Sequence, residues 1–265
     1  MSVIFKVKDM NNFEEKIKKF AEYIAASDDI VFFGGAGVST ESGIPDFRGG
    51  AGIYKNKDGA YEAPPEVMLS HTYFFENTEN FYRFYKSKML YLDAKPNEAH
   101  IILAKLEQKG KLKAVVTQNI DDLHQQAGSK NVIELHGTVK LNSCVNCGKK
   151  FEVQYIQKSD KIPYCDSCGG IIKPDVTLYE ERLNAAAVES ALDCITKADM
   201  LIVGGTSLSV YPAANYASCF FSENKNAAKK SVIINKSKTT YDRMFDISFD
   251  AGIGEILHKT YYSLY

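Results

Sequence analysis

The chain has 265 residues, enough for one large domain or two small ones around a sizeable core. Its 45% apolar and 25% charged residues exclude disorder and a fibrous repeat, and a formal net charge of −1 argues against non-specific nucleic-acid binding or a polybasic membrane anchor. No apolar run approaches the roughly 18 residues of a membrane span and Met1 to Lys6 lacks a signal-peptide core, so a cytoplasmic location is expected.

Asn12 to Ala26 places Phe13, Ile17, Phe20, Tyr23 and Ile24 on one helical stripe. Asp29 to Phe33 is a short apolar run feeding into Gly34-Gly35-Ala36-Gly37, as where a central parallel strand meets a phosphate-binding turn. Ile44 to Asp58, rich in Pro, Gly and charge, reads as an ordered loop. Tyr61 to Tyr91 is aromatic and helical in period, a helical insert. Asn97 to Lys109 follows Pro96 and gathers Ala99, Ile102, Leu103 and Leu106 on one face of a helix. Leu112 to Thr117, Val132 to Leu135, Met200 to Val203 and Ser231 to Asn235 read as further strands, the third ending in Gly204-Gly205-Thr206-Ser207. Strands alternating with helices predict an α/β fold, a doubly wound parallel sheet with ligands at the carboxyl ends of its strands.

Cys144-x-x-Cys147 and Cys165-x-x-Cys168, separated by a 17-residue connector, predict a tetrahedral zinc site. Four thiolates leave no coordination position for a catalytic water, so the site should be structural. Gly148 and Gly169 follow each pair and permit tight knuckle turns. A redox dithiol needs only one pair. A nucleic-acid-binding ribbon usually carries more basic surface than a connector in which Glu152 and Asp160 offset Lys149, Lys150, Lys158 and Lys161. Cys194 and Cys219 are left as buried, unpaired core thiols.

The glycine turn alone is a weak signal. Gly35-x-Gly37-x-x-Thr40 has Thr where a third Gly would allow close helix packing, and no acidic residue closes a strand about 20 residues on, which disfavours a hydride-transferring dehydrogenase. Ser39 to Gly49 then combines hydroxyls with Phe47 and Arg48, parts for gripping a phosphorylated, ring-bearing ligand: backbone amides and Arg48 for a pyrophosphate, Phe47 for a ribose or pyridine face. The alternative is a polar loop with a structural Phe.

Gly35-Ala36-Gly37-Val38-Ser39, Ser42 to Arg48, Thr117-Gln118-Asn119-Ile120-Asp121, Leu135-His136-Gly137, the two Cys pairs, Gly205-Thr206-Ser207-Leu208 with Val210-Tyr211-Pro212-Ala213, and Ile234-Asn235 together resemble the ordered motif series of the sirtuins, NAD-dependent protein-lysine deacylases. The resemblance runs from about Asp29 to Leu257. It implies a single catalytic domain with a Rossmann-like lobe of about 1–40, 96–138 and 177–265. The smaller lobe would be a helical insert of about 41–95 and a zinc module of about 139–176, with substrates bound between the lobes. In the family's reaction the acyl-lysine oxygen attacks the anomeric carbon of the nicotinamide ribose, nicotinamide leaves, and a base activates a ribose hydroxyl that attacks the imidate carbon.

His136 matches that base, and its near-neutral titration suits the role. Asn119 resembles the residue that positions the ribose and a water, Ile120 and Asp121 the carboxamide pocket, and Gln118 a neighbour of the ribose. Thr206, Ser207, Asn235 and Lys236 match adenosine-ribose contacts. Ala36, Thr40, Phe47 and Arg48 fall on the diphosphate and nicotinamide side, with Phe47 shielding the cationic sugar from nicotinamide. Cys144, Cys147, Cys165 and Cys168 hold one structural Zn²⁺. Acyl-lysine peptides would add as a strand between Val176 to Leu178 and Ser207 to Val210 through main-chain bonds, with weak sequence selectivity. No nucleic-acid or membrane partner is expected, and a monomer is plausible.

Two departures stand out. Where many sirtuins read Pro-x-Val-Val-x-Phe-Gly-Glu, this chain has Pro174-Asp175-Val176-Thr177-Leu178-Tyr179-Glu180-Glu181, and Glu180 in place of Gly is expected to narrow the turn. Relatives that remove succinyl groups carry a Tyr-x-x-Arg pair that falls on Tyr85-Lys86-Ser87-Lys88, so the anion clamp is incomplete and neutral acyl groups are expected. The bland reading puts Tyr85 on a core face and Lys88 in solvent. Deacylation of other acyl groups, NAD hydrolysis, protein ADP-ribosylation and a non-catalytic NAD-sensing role are the alternatives to deacetylation.

Overall fold

The computed structural model describes residues 2–46, 63–209, 211–222 and 229–265. Its strands, in chain order, are β1 Ile30–Gly34, β2 Leu112–Thr117, β3 Val132–Glu134, β4 Gly137–Cys144, β5 Lys150–Glu152, β6 Ile172–Val176, β7 Met200–Gly204, β8 Lys230–Asn235 and β9 Ile247–Asp250. Six of them form a parallel sheet in the order β3-β2-β1-β7-β8-β9, and the other three an antiparallel sheet in the order β5-β4-β6.

The large sheet explains why its central strands are apolar without alternation: both faces are covered. Ile30 and Phe32 pack with Phe20 and Ile24 of helix Ser2–Ala26, Ile102 and Leu106 of helix Glu98–Gln108, and Leu257 of helix Ile253–Leu264. Val31 and Phe33 face the opposite way, onto Ala191 and Ile195 of helix Ala185–Lys197 and Ala217 and Phe220 of helix Ala213–Ser222. Gly34 pairs level with Thr117 on one side and Gly204 on the other, and Gly204 with Ile234. The chain departs from β1 in one direction and returns through β7 in the other, so a crevice opens at the carboxyl ends where the order reverses.

A third core holds the smaller sheet against the described part of the insert, the helices Pro65–Met68, His71–Glu76 and Thr78–Lys88. Phe74, Phe81, Tyr82 and Tyr85 bury themselves against Ile156, Ile172 and Val176. Phe81 stacks on Tyr85 with ring centroids 5.6 Å apart, and the Tyr82 hydroxyl donates to the Ile172 carbonyl. Such aromatic burial supplies most of what a small lobe can gain from apolar contact.

The first helix begins at Ser2, not Asn12, and β3 stops one residue short of Leu135. Of the expected loop at Ile44 to Asp58, the part from Phe47 onward lies outside the described residues, as does the start of the insert at Tyr61. Cys194 and Cys219 form no disulfide, but both are half-buried, contrary to the expectation of buried thiols: Cys194 packs at the edge of the second core and Cys219 bonds the Asn215 carbonyl on its own helix. Among the described residues no helix is long and apolar enough to cross a membrane.

Candidate active site

At the end of β1 the chain turns through Gly35 into a 3-10 helix, Ala36–Ser42. The Gly35 amide donates to the Gly204 carbonyl at 3.2 Å and the Gly37 amide to Gly205 at 2.8 Å, so the glycine loops after β1 and β7 lie against each other. A Cβ on Gly37 would stand 2.7 Å from Gly205 Cα, and Gly205 itself has φ +61°. Only glycine at both positions permits this approach. Asn97 fixes the same loop from below, donating through Nδ2 to the Val38 carbonyl at 2.8 Å and Ser42 Oγ at 2.9 Å.

The polar run after β2 meets this loop. Ser39 Oγ donates to Asp121 Oδ2 at 2.6 Å and accepts from Asn119 Nδ2 at 3.0 Å, and the Leu123 amide donates to Asp121 Oδ1 at 3.0 Å. Burial raises the Asp121 pKa above the usual carboxylate value, with the Ser39 and Leu123 bonds pulling against it. Ser39 received no role from sequence: the motif contained it, but nothing in its spacing shows that it meets a carboxylate 82 residues further on.

His136 follows β3. Its Nδ1 lies 2.9 Å from the Gln118 carbonyl oxygen. A carbonyl only accepts, so this nitrogen carries the proton and Nε2 keeps its lone pair. Burial lowers the His136 pKa, partly opposed by the Gln118 bond, which keeps the ring neutral near pH 7. The next residue must be glycine: Gly137 has φ +73°, and a Cβ there would fall 2.0 Å from the Asp175 carbonyl oxygen.

At the end of β8, Asn235 Oδ1 accepts from the Thr206 amide at 3.0 Å, while Asn235 Nδ2 and Gln118 Nε2 are buried donors with no partner among the described residues. Orphaned buried donors are costly unless a ligand or water satisfies them. Ala36, Thr40, Gln118, Asn119, Ile120, Asp121, His136, Thr206, Ser207, Asn235 and Lys236 all line one cleft of about 560 Å³ at the crevice of the large sheet. Phe47 and Arg48 lie outside the described residues.

The cleft continues along Val176 to Glu181. The Thr177 amide donates to the His136 carbonyl at 2.8 Å, tying this segment to the histidine. Leu178 donates its amide to Glu181 Oε2, which also meets Lys173 Nζ at 3.0 Å, while Glu181 Oε1 meets His71 Nδ1 at 2.9 Å. Glu180 keeps a left-handed backbone, φ +75°, the conformation that glycine adopts most readily. Val210 lies outside the described residues. Tyr85, wholly buried with a hydroxyl that has no partner among the described residues, and Lys88 both line the cleft, so Lys88 is not simply a solvent-face residue.

The four cysteines converge away from this cleft. Their sulfurs all lie within 4.8 Å of one another, with Cys144 and Cys168 at 3.4 Å and Cys147 and Cys165 at 3.7 Å. A tetrahedron of Zn–S bonds of ~2.3 Å separates sulfurs by about 3.8 Å, so the set fits zinc. Amides donate back across each knuckle, Gly148 to Cys144 and Gly169 to Cys165, each at 2.9 Å. The Cys147 amide lowers the Cys144 pKa while that of the neighbouring Cys168 is raised, so the thiols titrate as a set.

The Sir2 family model matches residues 35–212. An NAD-dependent protein deacetylase of Clostridium acetobutylicum is 54% identical over 244 residues, covering 92% of this chain and 97% of the relative. One of Clostridium tetani is 56% identical over 241 residues, 91% of this chain and 95% of the relative. Among solved structures, a Sir2 protein with a p53 peptide and NAD+ superposes with a TM-score of 0.81 at 38% identity, covering 93% of this chain and 98% of that one.

Proposed function

Because the chain belongs to the Sir2 family, we propose that it is an NAD-dependent protein-lysine deacetylase, with NAD along the carboxyl ends of β1, β2, β7 and β8 and the acetyl-lysine peptide beside Val176 to Tyr179. The observation that carries this reading is His136: a half-buried neutral imidazole, its Nδ1 proton committed to the Gln118 carbonyl, lining the same cleft as the Ser39–Asn119–Asp121 network.

The orphaned donors and the two opposed glycine loops fit a dinucleotide. When bound, NAD supplies an anomeric carbon that accepts the acetyl oxygen as nicotinamide departs. The chain's residues then divide the work. Asp121, held by Ser39 and the Leu123 amide, accepts from the carboxamide N–H, with Ile120 as the apolar wall. Gln118 Nε2 and Asn235 Nδ2 donate to ribose hydroxyls. Asn119 orients the ribose and a water. Ala36, Thr40 and the amides around them face the diphosphate, and Thr206, Ser207 and Lys236 the adenosine ribose. Arg48 would pair with the diphosphate and Phe47 would shield the sugar, assignments that rest on sequence.

His136 Nε2 takes the proton of the ribose hydroxyl that attacks the acetyl carbon, and the Gln118 carbonyl steadies the imidazolium that forms. The zinc module works at a distance. It fixes β4 against β6, with Gly137 opposite Val176, and so sets the gap between His136 and the peptide segment.

The test is incubation with NAD and an acetyl-lysine peptide, quantifying nicotinamide and free-lysine peptide together. Deacetylation predicts equal amounts of the two, and neither without both substrates. Nicotinamide released without peptide would point to NAD hydrolysis instead.

A further inference from the structure

Glu180 occupies backbone that L side chains rarely adopt, φ +75°, at the rim of the cleft beside the peptide segment. Its side chain is held there: Oε2 accepts from the Thr72 amide at 2.9 Å and from Thr72 Oγ1 at 2.7 Å. Among the described residues Oε1 has no donor. These Thr72 bonds also lower the Glu180 pKa, so the carboxylate is charged throughout the neutral range.

Glu181 is paired with Lys173 Nζ and meets His71 Nδ1 at 2.9 Å. Arg182 lines the grooves on the other side of the turn and not the cleft, and the cleft's Lys236 and Lys238 belong to the loop after β8. Among the described residues the turn therefore presents one fixed carboxylate, with a single oxygen engaged, to whatever passes along Val176 to Tyr179.

Resting on the deacetylase reading, we propose that Glu180 is a specificity determinant that selects acyl-lysine peptides bearing a lysine or arginine close to the acyl-lysine, on the flank that leaves the cleft past Tyr179. A carboxylate already immobilised by its backbone and by Thr72 loses little further freedom on pairing, unlike an ordinary surface glutamate. Main-chain strand addition supplies affinity without reading sequence, so one such charge decides which peptides are favoured.

The experiment measures NAD-dependent kcat/KM for acetyl-lysine peptides that carry Lys, Ala or Glu in turn at each position of both flanks. The wild-type protein should prefer Lys over Glu at one or two adjacent positions on one flank by about fivefold, the scale of an exposed ion pair. The ratio should shrink as ionic strength rises to about 1 M, where screening acts within ~3 Å. It should also collapse in Glu180→Gln, which keeps an acceptor for Thr72, and in Glu180→Gly, which relaxes the backbone. A flat wild-type profile, a preference for acidic flanks, or a cationic preference that survives in both variants would overturn the inference while leaving deacetylation standing. Failure to deacetylate any peptide would overturn the functional reading and this inference with it.

Discussion

His136 Nδ1 donates to the main-chain carbonyl of Gln118 across 2.9 Å, joining the residue after β3 to the turn after β2. The bond fixes both the ring's tautomer and its direction, since a carbonyl has no proton to give. Because burial lowers the His136 pKa below the usual ~6.5, the base is unprotonated at neutral pH. Activity should therefore rise with pH along a single acid limb whose midpoint lies below about 6.5, and be level above it. A kcat/KM profile measured from acid to neutral pH checks this. A midpoint well above 7 would mean that the imidazole is stabilised in its charged form.

Metal analysis should find about one zinc per chain, and Cys144→Ala or Cys165→Ala should lose both the metal and the ordered small sheet. Both cysteines are buried in the third core, so metal binding and packing are coupled there. Fully active, metal-free protein would refute a structural role.

Acid should destabilise the fold through His100 as well. Its Nδ1 accepts from the Asn97 amide at 3.2 Å, its Nε2 is buried without a partner, and the His124 ring stands 4.6 Å away. Burial lowers the His100 pKa to about 4. The unfolded chain takes up its proton first as pH falls, so this contribution is complete above about 6.5 and is lost progressively towards 4. Between pH 6.5 and 5 the loss from this residue is roughly 2 kcal/mol. Urea unfolding should show His100→Gln, which retains a capping acceptor, to be less pH-dependent than wild type by about that amount.

Five of the large sheet's six strands were legible because they obey local rules: β1 and β7 are apolar runs ending in glycine, and helix Glu98–Gln108 has its Asn97 cap and apolar face in plain sequence. The sixth, β9 at the sheet's edge, was not, because in four residues only Ile247 and Phe249 are buried. The small sheet was not. β4 exposes Lys140 and Leu141 and is bulged against β6, so neither a two-residue alternation nor a continuous apolar run marks it. The site divides in the same way. Its residues were recognisable by motif, whereas the contact of Ser39 with Asp121 and the orphaned amide of Asn235 come from strand order, which brings the ends of β1, β2 and β8 together.

Acyl choice should follow from Tyr85 and Lys88 in the cleft. A lysine lacks the planar fork with which arginine grips a carboxylate. Acetyl-lysine peptides should exceed succinyl-lysine peptides in kcat/KM by at least about tenfold, the ratio for ~1.4 kcal/mol in transition-state binding. Higher efficiency on the succinylated peptide would contradict this, and Lys88→Arg should gain desuccinylation.

The most direct test of the mechanism separates the two halves of the reaction in His136→Ala. The base acts only after nicotinamide has left, so peptide-dependent exchange of labelled nicotinamide into NAD should persist while deacetylation falls by ~10² to 10⁴, with zinc content unchanged. Deacetylation at the wild-type rate in His136→Ala would place the proton acceptor elsewhere and contradict the account.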